Sequence, residues 1–180
     1  MKEKSVARAY AKAIFELGEQ NNVNVADDLI KLTEVINQSN DLENLLFLES
    51  FTVEEKSTVL TEVIKKLGLS PIVTSFLNFL LEEKRFGILP LIFKEVVVID
   101  DHKKGFMRGT IEGNADSLND EYVSKIQSFL KEKLGLNPQL KYVKNEKISA
   151  GVRVTVEDYQ LDASLDKQLD NFKQSIINNS

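Results

Sequence analysis

A single histidine, His102, is the imidazole available for acid–base chemistry in this chain of 180 residues. It lies between Asp100-Asp101 and Lys103-Lys104, where a predicted helix ends. A Ser/His/Asp triad would have to use this imidazole, and no Gly-x-Ser-x-Gly elbow accompanies it. We therefore interpret His102 as a solvated linker residue. A small enzyme that uses His102 and nearby acids is kept as an alternative.

Three pairs of adjacent acids could suggest a catalytic dyad: Asp27-Asp28, Glu54-Glu55 and Glu82-Glu83. Neighbouring residues on a helix point about 100° apart, so the two carboxylates of a pair cannot converge on one substrate atom. Thr52-Val53-Glu54-Glu55 matches a capping box instead, in which two amides at a helix start are satisfied reciprocally. The pairs are interpreted as solvated helix faces.

Cofactor chemistry finds no support in the residue types. The chain has no cysteine, which excludes disulfides, thiol nucleophiles and Cys-ligated metals. It has no Gly-Lys-Ser/Thr phosphate loop, no dinucleotide glycine pattern and no cluster with metal-ligand spacing. Gly105, Gly109 and Gly113 have the spacing of a membrane-helix motif, but Arg108 and Glu112 lie between them. We predict no catalytic residue, no cofactor and no metal.

The charge distribution excludes further classes of partner. The net charge is −5, and it arises within the first hundred residues, so neither half has the basic surplus that nucleic acids attract. The apolar stretch Phe86–Ile99 is too short to span a bilayer, and Pro90, Lys94 and Glu95 interrupt it. The sequence therefore predicts a soluble protein with no nucleic-acid partner and no direct membrane insertion.

The first hundred residues have the apolar periodicity of six short helices, which predicts an antiparallel bundle over residues 1–104. The first helix is predicted over Lys4–Glu19, and alanines on its other side make it two-sided. The fifth helix begins at Ser70-Pro71. Apolar residues at spacings of three and four on these two helices are Val6, Tyr10, Ala13, Ile14 and Leu17, and Val73, Phe76, Leu77, Phe79, Leu80 and Leu81.

Start and stop signals delimit the other helices. Asn24 is the predicted N-cap of the second helix and Asn40 that of the third, which is short. Thr52 begins the fourth helix and Gly68 ends it. The sixth helix is predicted to start near Gly87.

The pattern changes near Gly105 and predicts a small α+β domain over residues 105–180. Its order is β-α-β-β-α, and the chain as a whole is mainly α. The predicted elements are a strand over Phe106–Gly113, a helix from Asn119 to Leu134, an extended run over Gln139–Lys144, an alternating strand at Val152–Val156 and a last helix from Ser164.

The excess apolar surface on the first and fifth helices has two interpretations. It could belong to a well-filled core, or it could form a groove for a partner helix. The residues by themselves leave both interpretations open.

Three segments resemble the delta subunits of bacterial F-type ATP synthases and their mitochondrial relative, the oligomycin-sensitivity-conferring protein. Val6–Phe15 is similar to the opening helix of that family. Glu83–Phe86 is similar to its link into the sixth helix. Ala150–Val154 with Tyr159–Ser164 resembles its glycine-containing strand and the following turn, although Ala163 stands where the family has glycine. The segments occur in the family's order, and because chain length and element order also agree, the resemblance covers nearly the whole chain.

The resemblance implies a non-catalytic stator subunit that resists rotor torque in a proton-translocating ATP synthase, at the cytoplasmic face of the bacterial plasma membrane. The bundle would bind the catalytic head through the N-terminal helix of an alpha subunit. The second domain would bind the C-terminal region of the b subunits in the peripheral stalk. The implied groove residues are Tyr10, Ala13, Ile14 and Leu17 on the first helix, and Phe76, Phe79 and Leu80 on the fifth. The alternative is a free-standing helical adaptor or regulatory binding protein unrelated to the synthase.

Overall fold

The computed structural model describes residues 2–164. Over that range the protein has seven α-helices, one short 3-10 helix and one four-stranded sheet, so it is mainly helical with a small sheet near its C-terminal end. The helices are α1 (Lys2–Gln20), α2 (Val25–Asn37), α3 (Asn40–Phe47), α4 (Val53–Leu67), α5 (Pro71–Glu82), the 3-10 helix Phe86–Ile88, α6 (Leu89–Lys103) and α7 (Asp120–Leu134). The strands are β1 (Phe106–Gly113), β2 (Asn137–Lys144), β3 (Val152–Val156) and β4 (Tyr159–Asp162). Contacts divide the chain into two compact units between Asp100 and Asp101.

Most helices begin or end at the capping residues that the sequence predicted. The Thr52 amide donates to Glu55 at 2.8 Å, and the Glu55 amide donates to the Thr52 hydroxyl at 3.2 Å, which completes the capping box. Gly68 ends α4 in the left-handed region at φ 62°. The prediction for α3 was wrong by one residue. Ser39 is its N-cap, because the Ser39 hydroxyl accepts from the Leu42 amide at 3.3 Å, and Asn40 is already helical.

The core of the first unit uses the small-residue side of α1. Ala7 and Ala11 are fully buried, whereas Val6 and Leu17 are 37% and 49% exposed. Gly18 lies where a Cβ would meet Val25 Cγ2 at 2.4 Å. The absence of bulk on this side lets α1 pack closely on the chain that leads into α2.

Two buried carboxylates tie the first unit together, and one corrects an expectation. Asp28 was interpreted as solvated, but it is 8% exposed and accepts from the Ser70 amide at 2.9 Å. This bond holds the start of α5 against α2. Glu95 on α6 accepts from Arg8 on α1 at 3.0 Å. A buried carboxylate is stable when such donors replace water.

The second unit is a sheet of strand order β2-β1-β3-β4. β1 and β2 are parallel neighbours, and α7 connects them along the chain. The pairings of β1 with β3 and of β3 with β4 are antiparallel. The segment read as a turn, Tyr159–Asp162, forms the edge strand β4, so the order over the described residues is β-α-β-β-β. The predicted last helix was to begin at Ser164, the last described residue, and the rest of it lies outside the described residues.

Gly109 is required at the centre of this sheet. A Cβ at Gly109 would meet the Thr155 carbonyl oxygen and Val156 Cγ2, each at 2.6 Å, and Leu140 Cδ2 at 2.9 Å. Any side chain here would push neighbouring strands apart. Of the glycines noted in the sequence, Gly109 is therefore explained by strand packing, whereas Gly105 precedes β1 at φ 85° with open space around it.

Candidate partner groove on the first unit

An apolar groove lies between α1 and α5, with a cavity volume of about 540 Å³. This volume is within the range of natural binding sites, which is roughly 300–1,000 Å³. Its lining residues come from one face of each helix: Tyr10, Ala13, Ile14 and Leu17, and Pro71, Ile72, Ser75, Phe76 and Phe79.

Each of these two helices divides its apolar residues between core and groove. On α5, Val73 and Leu77 are fully buried, whereas Phe79 is 43% exposed. Leu80 is also fully buried and does not line the groove, so its assignment to the groove wall was wrong. Its position, three residues after Leu77, places it on the core face of the helix. The other six implied residues all line the groove.

Aromatic rings and one arginine form one end of the groove. The ring centroid of Tyr10 lies 6.2 Å from that of Phe76 and 6.2 Å from that of Phe79, both in edge-to-face geometry. Arg85 Nη1 donates to the Tyr10 hydroxyl at 2.6 Å, and Arg85 Cζ lies 5.8 Å from the centroid of the same ring. These contacts order a ring that would otherwise be free to turn.

The end of α5 places Arg85 beside Tyr10. Lys84 is in the left-handed region at φ 56°. The Arg85 amide donates to the Leu80 carbonyl at 2.8 Å and the Lys84 amide to the Leu81 carbonyl at 3.0 Å, the two bonds of a Schellman turn. The sequence reasoning did not assign Arg85 to the groove. It also omitted Pro71, Ile72 and Ser75. Ile72 and Ser75 each lie four residues before a groove phenylalanine, Phe76 and Phe79, and this helical spacing could have identified them.

Few polar groups line the groove. Its polar groups are the Ser75 and Tyr10 hydroxyls and the neighbouring guanidinium. His102 belongs to the second unit, where its Nε2 lies 2.5 Å from Glu157 Oε1. His102 is exposed and lies next to the boundary between the units, in line with its interpretation as a solvated linker residue, and the contact with Glu157 gives it a partner within the second unit. Over residues 2–164, no three His, Cys, Asp or Glu side chains are grouped as metal ligands would be.

A second polar cluster lies at the end of β4. Asp162 accepts from the Ser164 hydroxyl at 2.5 Å, from the Ser164 amide at 3.1 Å and from Arg153 Nε at 3.0 Å. The hydrogen bond from the Ser164 hydroxyl holds the pKa of the Asp162 carboxyl below its usual value. The Ser164 amide and Arg153 act in the same direction, and burial opposes them. Gly151 faces this turn at φ 84°, and a Cβ there would lie 2.4 Å from the Ala163 carbonyl oxygen.

A family model described as the ATP synthase delta (OSCP) subunit matches residues 6–176 of this chain. The chain belongs to the ATP synthase delta (OSCP) subunit family. The ATP synthase subunit delta of Christiangramia forsetii is 31% identical over 182 residues, which cover 100% of this chain and 97% of that protein. Its counterpart from Chlorobaculum parvum is 30% identical, with 95% and 94% covered.

The fold of this family member is also found in a solved structure. A chain of the Toxoplasma gondii mitochondrial ATP synthase hexamer superimposes with a TM-score of 0.73 at 18% identity, covering 95% of this chain and 97% of that one. The resemblance read from the three segments is therefore confirmed.

Family membership decides between the functional alternatives. The protein is a non-catalytic, stator-linking subunit and a peripheral component of an ATP synthase, whose partners are other subunits of that complex. The alternatives of an unrelated adaptor and of a small enzyme based on His102 are overruled. Among the helices of the described residues, none is both long and apolar enough to cross a membrane.

Proposed function

We propose that the α1/α5 groove receives the N-terminal helix of an alpha subunit, and that the second unit binds the C-terminal region of the b subunits. The observation that carries the first half is the groove itself. Two helices of a soluble protein leave large apolar side chains uncovered on facing sides, and Phe79 and Leu17 are both more than two-fifths exposed. Such a surface marks a binding site more often than it marks a poorly filled core.

The length of the groove favours a helical occupant. The lining residues of α1 extend from Tyr10 to Leu17, which is about 10 Å at 1.5 Å per residue. A docked helix would cover this distance in two turns, with apolar side chains at positions i, i+3 or i+4, and i+7. Each side chain buried there contributes roughly 25 cal/mol per Å² of apolar area, before the cost of ordering the two partners. Slow dissociation of that helix would let the stator resist torque.

The second half of the proposal rests on exposed aromatic residues of α7. Tyr122 is 45% exposed and Phe129 is 47% exposed. They are seven residues apart, so they lie on one face of the helix. Aromatic residues are enriched where proteins meet, because they bury much area with little loss of conformational freedom. We assign this face to the b subunits.

The finer architecture follows from the same proposal. We propose that residues 1–104, to just after the end of α6, act as an antiparallel six-helix bundle that binds the catalytic head, and that residues 105–180 act as the domain that binds the peripheral stalk. This boundary lies four residues after the contact boundary between Asp100 and Asp101. The protein acts at the cytoplasmic face of the bacterial plasma membrane, held there by its partners.

A crossed experiment on the full chain tests both halves. The variants Phe79→Ala and Phe129→Ala remove similarly exposed rings from the two units. Calorimetry would use two synthetic peptides from the same genome, the alpha N-terminal helix and the b C-terminal region. We expect Phe79→Ala to weaken binding of the alpha peptide by at least about tenfold and to leave binding of the b peptide unchanged, since truncation of an aromatic hot spot in an interface costs about 2 kcal/mol or more. Phe129→Ala should weaken binding of the b peptide and leave binding of the alpha peptide unchanged. Equal losses of both peptides from either variant would refute the assignment.

A further inference from the structure

Arg85 supplies a guanidinium beside an otherwise apolar groove. Tyr10 is the first groove-lining residue of α1 and Phe79 is the last of α5, and their rings are in contact, so they mark one end of the groove. Arg85 bonds to the Tyr10 hydroxyl at this end. Its side chain is exposed, and over the described residues no carboxylate lies within ion-pair distance of it.

The geometry leaves most of the guanidinium available to a ligand. An arginine has five N–H donors in a planar fork, and the contact with Tyr10 uses Nη1. The Schellman turn fixes the backbone at Lys84 and Arg85, and the hydrogen bond to the Tyr10 hydroxyl holds the guanidinium at this end of the groove, with Cζ 5.8 Å from the ring centroid. A side chain ordered in this way loses less entropy when it binds than a free one does.

We infer that Arg85 pairs with the carboxylate of an Asp or Glu side chain on the docked helix, one turn beyond the apolar stripe of that helix, and so fixes the register of the helix along the groove. The inference rests on the proposed occupancy of the groove. Apolar side chains fill a groove in more than one register at similar cost, whereas one charged pair at one end is satisfied in a single register. A carboxylate is the side-chain group that matches the fork with two parallel hydrogen bonds.

The test is a coupling measurement with the full-length protein. The probe is a synthetic peptide of the alpha N-terminal helix, together with variants in which each acid is replaced singly by its amide. Calorimetry at low salt would compare binding to the wild type and to Arg85→Gln and Arg85→Lys, with folding checked by circular dichroism. Because Arg85 also orders Tyr10, loss of affinity by itself is not the readout.

We expect one acid-to-amide change in the peptide to weaken its binding to the wild-type protein about fivefold. This loss lies between the contribution of an exposed ion pair and that of a hydrogen bond to a charged group. The same change should have no effect on Arg85→Gln and a reduced effect on Arg85→Lys, which keeps the charge and loses the fork. The wild-type difference should shrink as salt is added. The inference fails if each amide variant of the peptide loses as much affinity for Arg85→Gln as for the wild type. It also fails if no amide variant loses affinity for the wild type. In both cases the groove assignment stands. If the unmodified peptide does not bind the wild type, both fail.

Discussion

The substitution Ala13→Leu tests whether residue 13 is a groove position or a core position of α1. Ala13 lines the α1/α5 groove and is exposed in the free protein. Leucine adds three carbon atoms to a cavity of about 540 Å³, so the free protein has room for it. Alanine and leucine are both strong helix formers, and the change should leave thermal stability nearly unchanged.

A docked helix would meet the added side chain directly. Overpacking of a well-fitted contact typically costs about 1–3 kcal/mol, which corresponds to roughly 5- to 150-fold in affinity. We expect a loss of at least about tenfold for an alpha N-terminal peptide, measured by calorimetry on the full chain. Ala9→Leu is the matched control, because Ala9 is an exposed alanine of α1 that does not line the groove. Unchanged peptide affinity in Ala13→Leu, or an equal loss in Ala9→Leu, would refute the reasoning, and an unfolded Ala13→Leu would show that this side of α1 is core.

Three further substitutions test the fold. Gly109→Ala should lower the free energy of unfolding by about 1–3 kcal/mol, because its Cβ would meet the Thr155 carbonyl oxygen at 2.6 Å; Gly87→Ala, with nothing within 4 Å, is the control in urea titrations. Lys84→Gly should raise the melting temperature, since a non-glycine residue in the left-handed region costs about 1–2 kcal/mol, and an unchanged temperature would contradict this. Asp162 has a lowered pKa when folded, so its stabilisation is present at neutral pH and lost as the pH falls below about 4. The urea midpoint of Asp162→Asn should therefore lie below that of the wild type at pH 7 and approach it in acid, and equal midpoints at neutral pH would oppose this account.

Helix boundaries could be predicted because their causes are local. The Thr52–Glu55 box, the Ser70-Pro71 start and the Gly68 stop each depend on hydrogen bonds or backbone angles within a few residues. The error at Asn40 has the same origin, since Ser39 and Asn40 are both good caps and stand side by side. The strand β4 was missed because it has four residues and owes its extended form to pairing with β3.

The candidate groove was predicted less completely, because a helix with two apolar sides does not show which side its neighbours will cover. Leu80 and Phe79 are adjacent, equally apolar and on the same predicted helix, yet one is fully buried and the other is 43% exposed. Arg85 reaches Tyr10 across 75 positions of sequence, which no periodicity reveals.

The amino-acid sequence by itself determined the helices, their caps, the change to strands near Gly105 and the family, since these depend on local residue types and on motifs that can be read in order. Only the tertiary structure decided which face of α1 is core. The alanine side packs inward because small residues let helices approach closely, and that leaves the larger Tyr10 and Leu17 for the groove. The buried place of Asp28 was settled in the same way, because a carboxylate enters the interior only where a distant amide, here that of Ser70, is brought to meet it.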